Sequence, residues 1–300
     1  MKKRAITSVF IVLITALAVA SKFLPYNIGD YVFDGFVIFI AMVAGFEMSN
    51  IMAKLGRPTN KYLTSMYCVF NYIILLSLLS VVQFYFIPLF ELGLLFLYFL
   101  IVLAVEGVRT KAHNNMKTAF NLSYNTIQAC FYPSFLICLM LAINHVDFYA
   151  GVKGFSVIFI IMIFAITMLT DTFAYLIGSL IKGPKLAPKI SPNKTISGSI
   201  GGLLGGVAGA MIVYALVFNI PAWSSMLSMY SLSWWHFLIF GLIASIFGQC
   251  GDLLESKLKR MANIKDSGNI FPGHGGMLDR VDAMMMVATI MFITVLCITI

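Results

Sequence analysis

Seven carboxylates stand within or beside long apolar runs, where a charge is costly and needs a partner: Glu47, Glu106, Asp171, Asp252, Glu255, Asp279 and Asp282. Asp279 and Asp282 are three apart, so a helix sets both on one face. Asp252 and Asp279 are separated by 26 residues that join two apolar runs. If those two helices are neighbours, the carboxylates meet at one depth. Like charges gathered this way repel unless a cation intervenes, and hard oxygen ligands suit Mg²⁺. The plainer alternative is that each acid pairs with a nearby base, such as Arg280 or Lys259, or lies at a helix N-terminus. Spacing alone leaves both open.

Around these acids stands the opposite charge. Lys257, Lys259, Arg260 and Lys265 share the segment between Asp252 and Asp279, and Lys185, Lys189 and Lys194 share an earlier one. Basic groups beside a carboxylate-held cation are what a polyphosphate needs, because its charge is spread over several oxygens. Lys259, Arg260 and Lys265, enclosed among acids and glycines, are expected to contact phosphate, whereas Lys182, Lys185 and Lys189 are expected to be topological decoration. The run "FPGHGG" supplies Gly273, Gly275 and Gly276 for backbone conformations other residues avoid, able to aim N–H groups at an anion. His274 within it can serve as acid, base, phosphate donor or mere loop tie.

The elements that must position these groups are membrane helices. Of 300 residues 60% are hydrophobic and only 11% charged, far from the balance of a soluble domain. Crossing about 30 Å of hydrocarbon takes roughly 20 apolar residues. Such runs fall at 5–24, 31–50, 62–86, 88–107, 120–143, 155–180, 198–219, 233–252 and 280–300, giving an all-α integral membrane protein of about nine transmembrane helices. With the N-terminus cytoplasmic and the C-terminus outside, 18 of the 20 Lys and Arg fall in inner segments, and only Lys22 and Lys153 do not. The net charge of +8 is thus a topology signal, reinforced by anionic lipid, and needs no nucleic acid.

Residues 1–150 are expected to form a scaffold of helices with lipid access and possible dimer contacts. Residues 151–300 are expected to form the catalytic region, with two long cytoplasmic loops at about 181–197 and 253–279. The start "MKKRAITSVFIVLITALAVAS" imitates a secretory leader with a small-residue site at Ala18-x-Ala20. An uncleaved first span is the expectation, since eight more follow. The seventh run carries Gly198, Gly202, Gly206 and Ala210 at four-residue intervals, with Gly201, Gly205 and Gly209 alongside, which is a face for close helix packing. Glu47 and Glu106 are expected to pair with Lys54 and Arg109.

The run "SKLKRMANIKDSGNIFPGHGGMLDRVD", Ser256 to Asp282, resembles the signature of the CDP-diacylglycerol synthases (phosphatidate cytidylyltransferases), in which S-x-x-K-R, K-D, P-G-H-G-G and D-R-x-D occur in this order and spacing. "SPNKTISGSIGG", preceded by "DTFAYLIG" from Asp171, is similar to a second family segment, with Ser197 and Phe173 departing from its usual residues. The resemblance covers about Asp171 to Asp282. It implies condensation of CTP with phosphatidic acid to CDP-diacylglycerol and pyrophosphate, Mg²⁺ as cofactor with a second, monovalent cation left open, and a homodimer. It implies Asp252, Asp279 and Asp282 as metal ligands, with Lys265, Asp266 and Arg280 beside them in catalysis. Asp171, Lys194, Ser256, Lys259, Arg260, Gly273, His274, Gly275 and Gly276 would meet the substrates.

CTP is cytosolic and phosphatidic acid lies in the leaflet, so the site is expected at the cytoplasmic face of the cell's plasma or inner membrane. Two alternatives stand beside this reading. A CTP-dependent polyprenol or phytol kinase would release CDP in place of pyrophosphate. An ion-coupled transporter would place its acids at the membrane centre, where Asp171 fits best.

Overall fold

The computed structural model describes residues 2–24, 28–79, 81–110, 116–150, 154–271, 273 and 275–299. Twelve α-helices occur among them: α1 (Lys2–Ser21), α2 (Ile28–Lys54), α3 (Lys61–Leu78), α4 (Ile87–Thr110), α5 (Met116–Ala129), α6 (Leu136–Asn144), α7 (Val146–Ala150), α8 (Phe155–Ile181), α9 (Ile196–Asn219), α10 (Pro221–Met229), α11 (Trp234–Met261) and α12 (Leu278–Thr299). Eight segments are long and apolar enough to cross a membrane, and α1 carries a further, shorter apolar stretch, Val9–Ser21. The fold is therefore that of an all-α integral membrane protein. Helices satisfy their backbone internally, which hydrocarbon demands.

The boundaries differ from the sequence pattern where local chemistry intervenes. The third run, expected to reach residue 86, ends as a helix at Leu78, and a short 3₁₀ turn, Phe84–Phe86, precedes α4. The fifth run is one span in two pieces: Pro133 lies in a π-helical turn, Cys130–Phe135, between α5 and α6. Proline removes a backbone donor there and crowds the preceding turn. The segment after α9 contains the short helix α10, opened by Pro221 at its first position, where proline is tolerated.

The chain divides into two compact units, Met1–Ala142 with Met261–Asp279, and Ile143–Arg260 with Arg280–Ile300. In the first, α2 buries Phe33, Val37, Ala41, Ala44, Met48 and Ile51. Gly45 lets it lie against α3, for a Cβ there would stand 2.7 Å from Ser134 Oγ and 3.3 Å from the Thr64 carbonyl. Asn60 caps α3, its Oδ1 accepting from Leu63 N at 3.2 Å. Its side-chain amide donates to Glu106 of α4, whose carboxylate is fully buried and also lies 3.8 Å from Arg109. The expected pairing of Glu106 with Arg109 is thus present, with Asn60 as a second partner.

In the second unit, α8 and α9 form the tightest pair. A Cβ at Gly209 would stand 2.8 Å from the Ala165 carbonyl, and one at Gly201 2.6 Å from Ile177 Cβ. On the other side, Gly206 and Gly202 face Ser245 and Gln249 of α11. The small-residue face is a packing face, as its spacing implies. Without a hydrophobic drive between helices in lipid, such close approach lets dispersion contacts hold them together. Between α8 and α9 the chain forms an antiparallel hairpin of β1 (Lys185–Ala187) and β2 (Ser191–Thr195), with Lys185 opposite Thr195 and Ala187 opposite Ser191.

Candidate functional site

In the second unit the hairpin presents Lys194. Thr195 ends β2 and caps α9, its hydroxyl accepting from Gly198 N at 3.1 Å. Ser197 donates to the Lys182 carbonyl at 2.9 Å, tying the start of α9 to the end of α8. Lys194, one residue before the cap, is thereby held at a fixed strand-to-helix junction, and its ammonium pairs with Asp252 of α11. Asp252 also lies 3.4 Å from the Ser256 hydroxyl, one turn on.

Asp252 stands where α11 crosses α12. Gly251 makes the crossing possible: a Cβ there would fall 2.5 Å from the Asp282 carbonyl oxygen and 2.7 Å from Met286 Cγ. Asp282, whose Oδ1 accepts from Ala283 N at 2.8 Å, is within electrostatic reach of Asp252, Glu255 and Asp171. Asp171 in turn is within reach of Asp252, Lys194 and Arg280. Of these carboxylates only Asp282 belongs to the signature run; Asp252 and Glu255 precede it on α11, and Asp171 lies on α8. Glu255, fully buried, pairs with Lys259 one turn away, and Arg260 Nε donates to the Ile190 carbonyl at 3.2 Å, fastening the hairpin's turn to the end of α11.

In the first unit lies the glycine-rich segment with Asp279. Asp279 Oδ2 accepts from Gly276 N at 2.7 Å and from both Ser267 N and Ser267 Oγ at 2.9 Å. Gly273 and Gly275 take φ of 81° and 83°, a region closed to most side chains. Phe271 and Gly275 close a small backbone bridge. The N–H groups that follow the glycines do find an anion, but an internal one: Met277 N and Leu278 N donate to Glu47 at 3.1 Å and 2.8 Å. Glu47, singled out in the sequence as a costly charge and expected to pair with Lys54, has these loop groups as partners instead, and no ion pair joins it to Lys54 among the described residues. Its loop partners lie some 220 residues away in sequence, so no local pattern could reveal them.

The remaining predicted residues are placed more simply. Lys265 and Asp266 are exposed beside Ser267, and Arg280 is exposed in the first turn of α12. His274 lies outside the described residues. For a divalent cation, the donors are of the right kind: Asp252 and Asp282 bring hard oxygens to the crossing of α11 and α12, and like charges there call for positive charge. Lys194 supplies part of it at Asp252. Among the described residues no three acidic, histidine or cysteine side chains converge as a ready-made ion cage.

Residues 2–298 match the model of the Cytidylyltransferase family. The chain belongs to that family. This cytidylyltransferase-family chain is 43% identical over 130 residues to a phosphatidate cytidylyltransferase of Staphylococcus saprophyticus, covering 43% of the chain and 45% of the relative. It is 41% identical over 143 residues to a protein of the same name from Brucella abortus, covering 48% of each. It is 35% identical over 155 residues to one from Staphylococcus haemolyticus, covering 50% and 55%. The chain thus spans about half the length of the curated relatives it matches.

Proposed function

We propose that this chain is a phosphatidate cytidylyltransferase, condensing CTP with phosphatidic acid to give CDP-diacylglycerol and pyrophosphate in phospholipid synthesis. The observation that carries the reading is Asp252 paired with Lys194 where α11 crosses α12 beside Asp282, in a chain whose relatives bear that name. Balanced acids and bases of this kind suit a substrate of several phosphates rather than a simple carboxylate or sugar.

A phosphate monoester already carries an anionic oxygen near neutral pH, its second pKa being about 6. No strong general base is therefore needed. The barrier lies in bringing that anion against the α-phosphorus of another anion and expelling pyrophosphate. Lys194 and Lys259 now hold Asp252 and Glu255; in the complex their ammonium groups turn to the triphosphate, with Arg260 and Lys265 completing its alignment. Ser256 donates alongside Asp252, Arg280 follows Asp279 in sequence, and Asp266 precedes Ser267, which holds Asp279. Fixing the two phosphates in line supplies much of the acceleration, because a near-attack geometry removes the entropic cost of encounter.

Asp252, Asp279 and Asp282 are proposed to hold Mg²⁺, which when bound neutralises charge on the substrate oxygens. A second, monovalent cation, a homodimeric state and a site open to the cytoplasm at the inner membrane belong to the same proposal. Purified protein given CTP, phosphatidic acid and Mg²⁺ is expected to release pyrophosphate, and Asp279→Asn to abolish the release while the protein stays folded. Release of CDP instead would reassign the chain to the lipid kinases, and no turnover of any lipid with CTP would revive ion-coupled transport.

A further inference from the structure

The carboxylate of Glu47 is 3% exposed and lies on α2, in a part of the sequence with no signature residues. Leu278 N at 2.8 Å donates to its Oε2 and Met277 N at 3.1 Å to its Oε1, and the Ser267 hydroxyl lies 3.1 Å from Oε2, its one proton shared between Glu47 and Asp279. Two of these are backbone N–H groups at the start of α12, which lack helical acceptors and carry the positive end of the helix dipole. Glu47 therefore caps α12 from another helix, in the place a local Ser or Asp would normally take.

The same carboxylate accounts for two glycines. The three atoms nearest a Cβ on Gly268 would all belong to Glu47, and a Cβ on Gly276 would meet both Glu47 oxygens and Ser267 Oγ. Neither glycine has the left-handed backbone of Gly273 and Gly275. Their lack of a side chain is explained by the approach of Glu47, not by turn geometry.

Ser267 links this anchor to the chemistry. Its hydroxyl lies 3.1 Å from Glu47 Oε2 and 2.9 Å from Asp279 Oδ2, and its N–H donates to the same Asp279 oxygen. Gly276, immediately before the two N–H groups held by Glu47, gives its own N–H to Asp279. The hydrogen bonds from Ser267 and Gly276 to Asp279 thus run through the segment that Glu47 holds.

We propose that Glu47 is a positioning residue for nucleotidyl transfer: a buried carboxylate that locks Ser267 and the Gly276–Leu278 backbone, and through them sets the orientation of Asp279. The proposal rests on the cytidylyltransferase reading for its kinetic consequence and on geometry alone for the anchor. Glu47→Gln keeps size and one carbonyl acceptor but turns an amide donor toward backbone donors, so it loosens the lock without opening a large void.

Four measurements on the full-length protein test this. Pyrophosphate release by Glu47→Gln should show kcat reduced at least ~10-fold with KM for CTP changed less than ~3-fold, the signature of lost transition-state alignment. Amide hydrogen exchange at Met277 and Leu278 should quicken at least ~10-fold in Glu47→Gln, with or without substrate, as expected for an opened local structure. Gly268→Ala alone should lower the thermal midpoint and kcat; added to Glu47→Ala, which vacates the space, it should cost little more. Glu47→Asp, which keeps the charge but shortens the reach, should recover part of the kcat lost in Glu47→Ala. A Glu47→Gln enzyme with wild-type kcat per folded molecule, or unchanged exchange at 277 and 278, or additive costs of Gly268→Ala and Glu47→Ala, would overturn the proposal. Absence of pyrophosphate release by the wild type would sink the functional reading and the kinetic arm, while exchange and the double variant would still decide the anchor.

Discussion

Replacing Gly251 with alanine tests whether the crossing of α11 and α12 positions the chemistry. The new Cβ would lie 2.5 Å from the Asp282 carbonyl oxygen, about 0.9 Å short of the 3.4 Å at which ordinary contact begins. A backbone carbonyl cannot rotate away as a side chain can, so the helices must separate by something near that distance. Overpacking of this kind costs about 1–3 kcal/mol, and alanine returns about 1 kcal/mol in helix propensity. Net destabilisation should therefore stay at or below about 2 kcal/mol. The effect on rate should be far larger, because Asp252 is the next residue and a displacement of about 1 Å at a reacting centre costs on the order of 100-fold. Gly248→Ala is the internal control: its Cβ would meet Val287 Cγ2 at 3.0 Å, the end of a side chain, with backbone no nearer than 3.7 Å. Both variants, purified in detergent, are compared by thermal unfolding and by the initial rate of pyrophosphate release. If Gly251→Ala keeps a rate within about 3-fold of Gly248→Ala, the crossing does not set the geometry of the site.

Other perturbations have equally definite signs. Lys194→Met removes the ammonium from Asp252 and, on the proposed function, from the triphosphate, and loss of such a charged hydrogen bond, about 1.5–3 kcal/mol, should raise KM for CTP roughly 10- to 100-fold, with Lys194→Arg intermediate in steady-state kinetics. Asn60→Ala removes the cap of α3 and the amide donor to buried Glu106, so chemical unfolding should show a loss of about 2–4 kcal/mol. Gly205 and Gly93 should respond oppositely to alanine. At Gly205 the Cβ would press on the Leu169 carbonyl and lie 2.7 Å from Phe173 Cβ, whereas at Gly93, inside α4, nothing lies within 4 Å. Gly205→Ala should lower the thermal midpoint and Gly93→Ala should raise stability by about 0.5–1 kcal/mol.

Much of this was legible in the sequence because membrane folds write their rules locally. Apolar length marks the spans, and the four-residue glycine spacing marks the face on which α9 meets α8. The Glu106–Arg109 pair is visible because both partners share one helix turn. What stayed hidden is what depends on distant partners or very short elements. The β1–β2 hairpin carries only three and five residues, too few for an alternation to stand out, and its second strand includes Pro192. The break at Pro133 was masked by an apolar run that continues on both sides. The acids were found, but which base or donor each one takes was not: that Lys259 pairs with Glu255, and that Ser267 and Gly276 hold Asp279, emerges only once the chain is folded. Glu47 had no signal beyond its cost in an apolar helix.

The central claim is that CTP gives its cytidylyl group, and not its terminal phosphate, to a phosphorylated lipid. One incubation decides it: purified protein, phosphatidic acid, Mg²⁺, and CTP carrying distinguishable labels on the α- and γ-phosphates, followed by separation of lipid from water-soluble products. The α-label should enter the lipid fraction with the cytidine, and the γ-label should leave as pyrophosphate in equal amount. A γ-label in the lipid fraction with the α-label left in soluble CDP would contradict it.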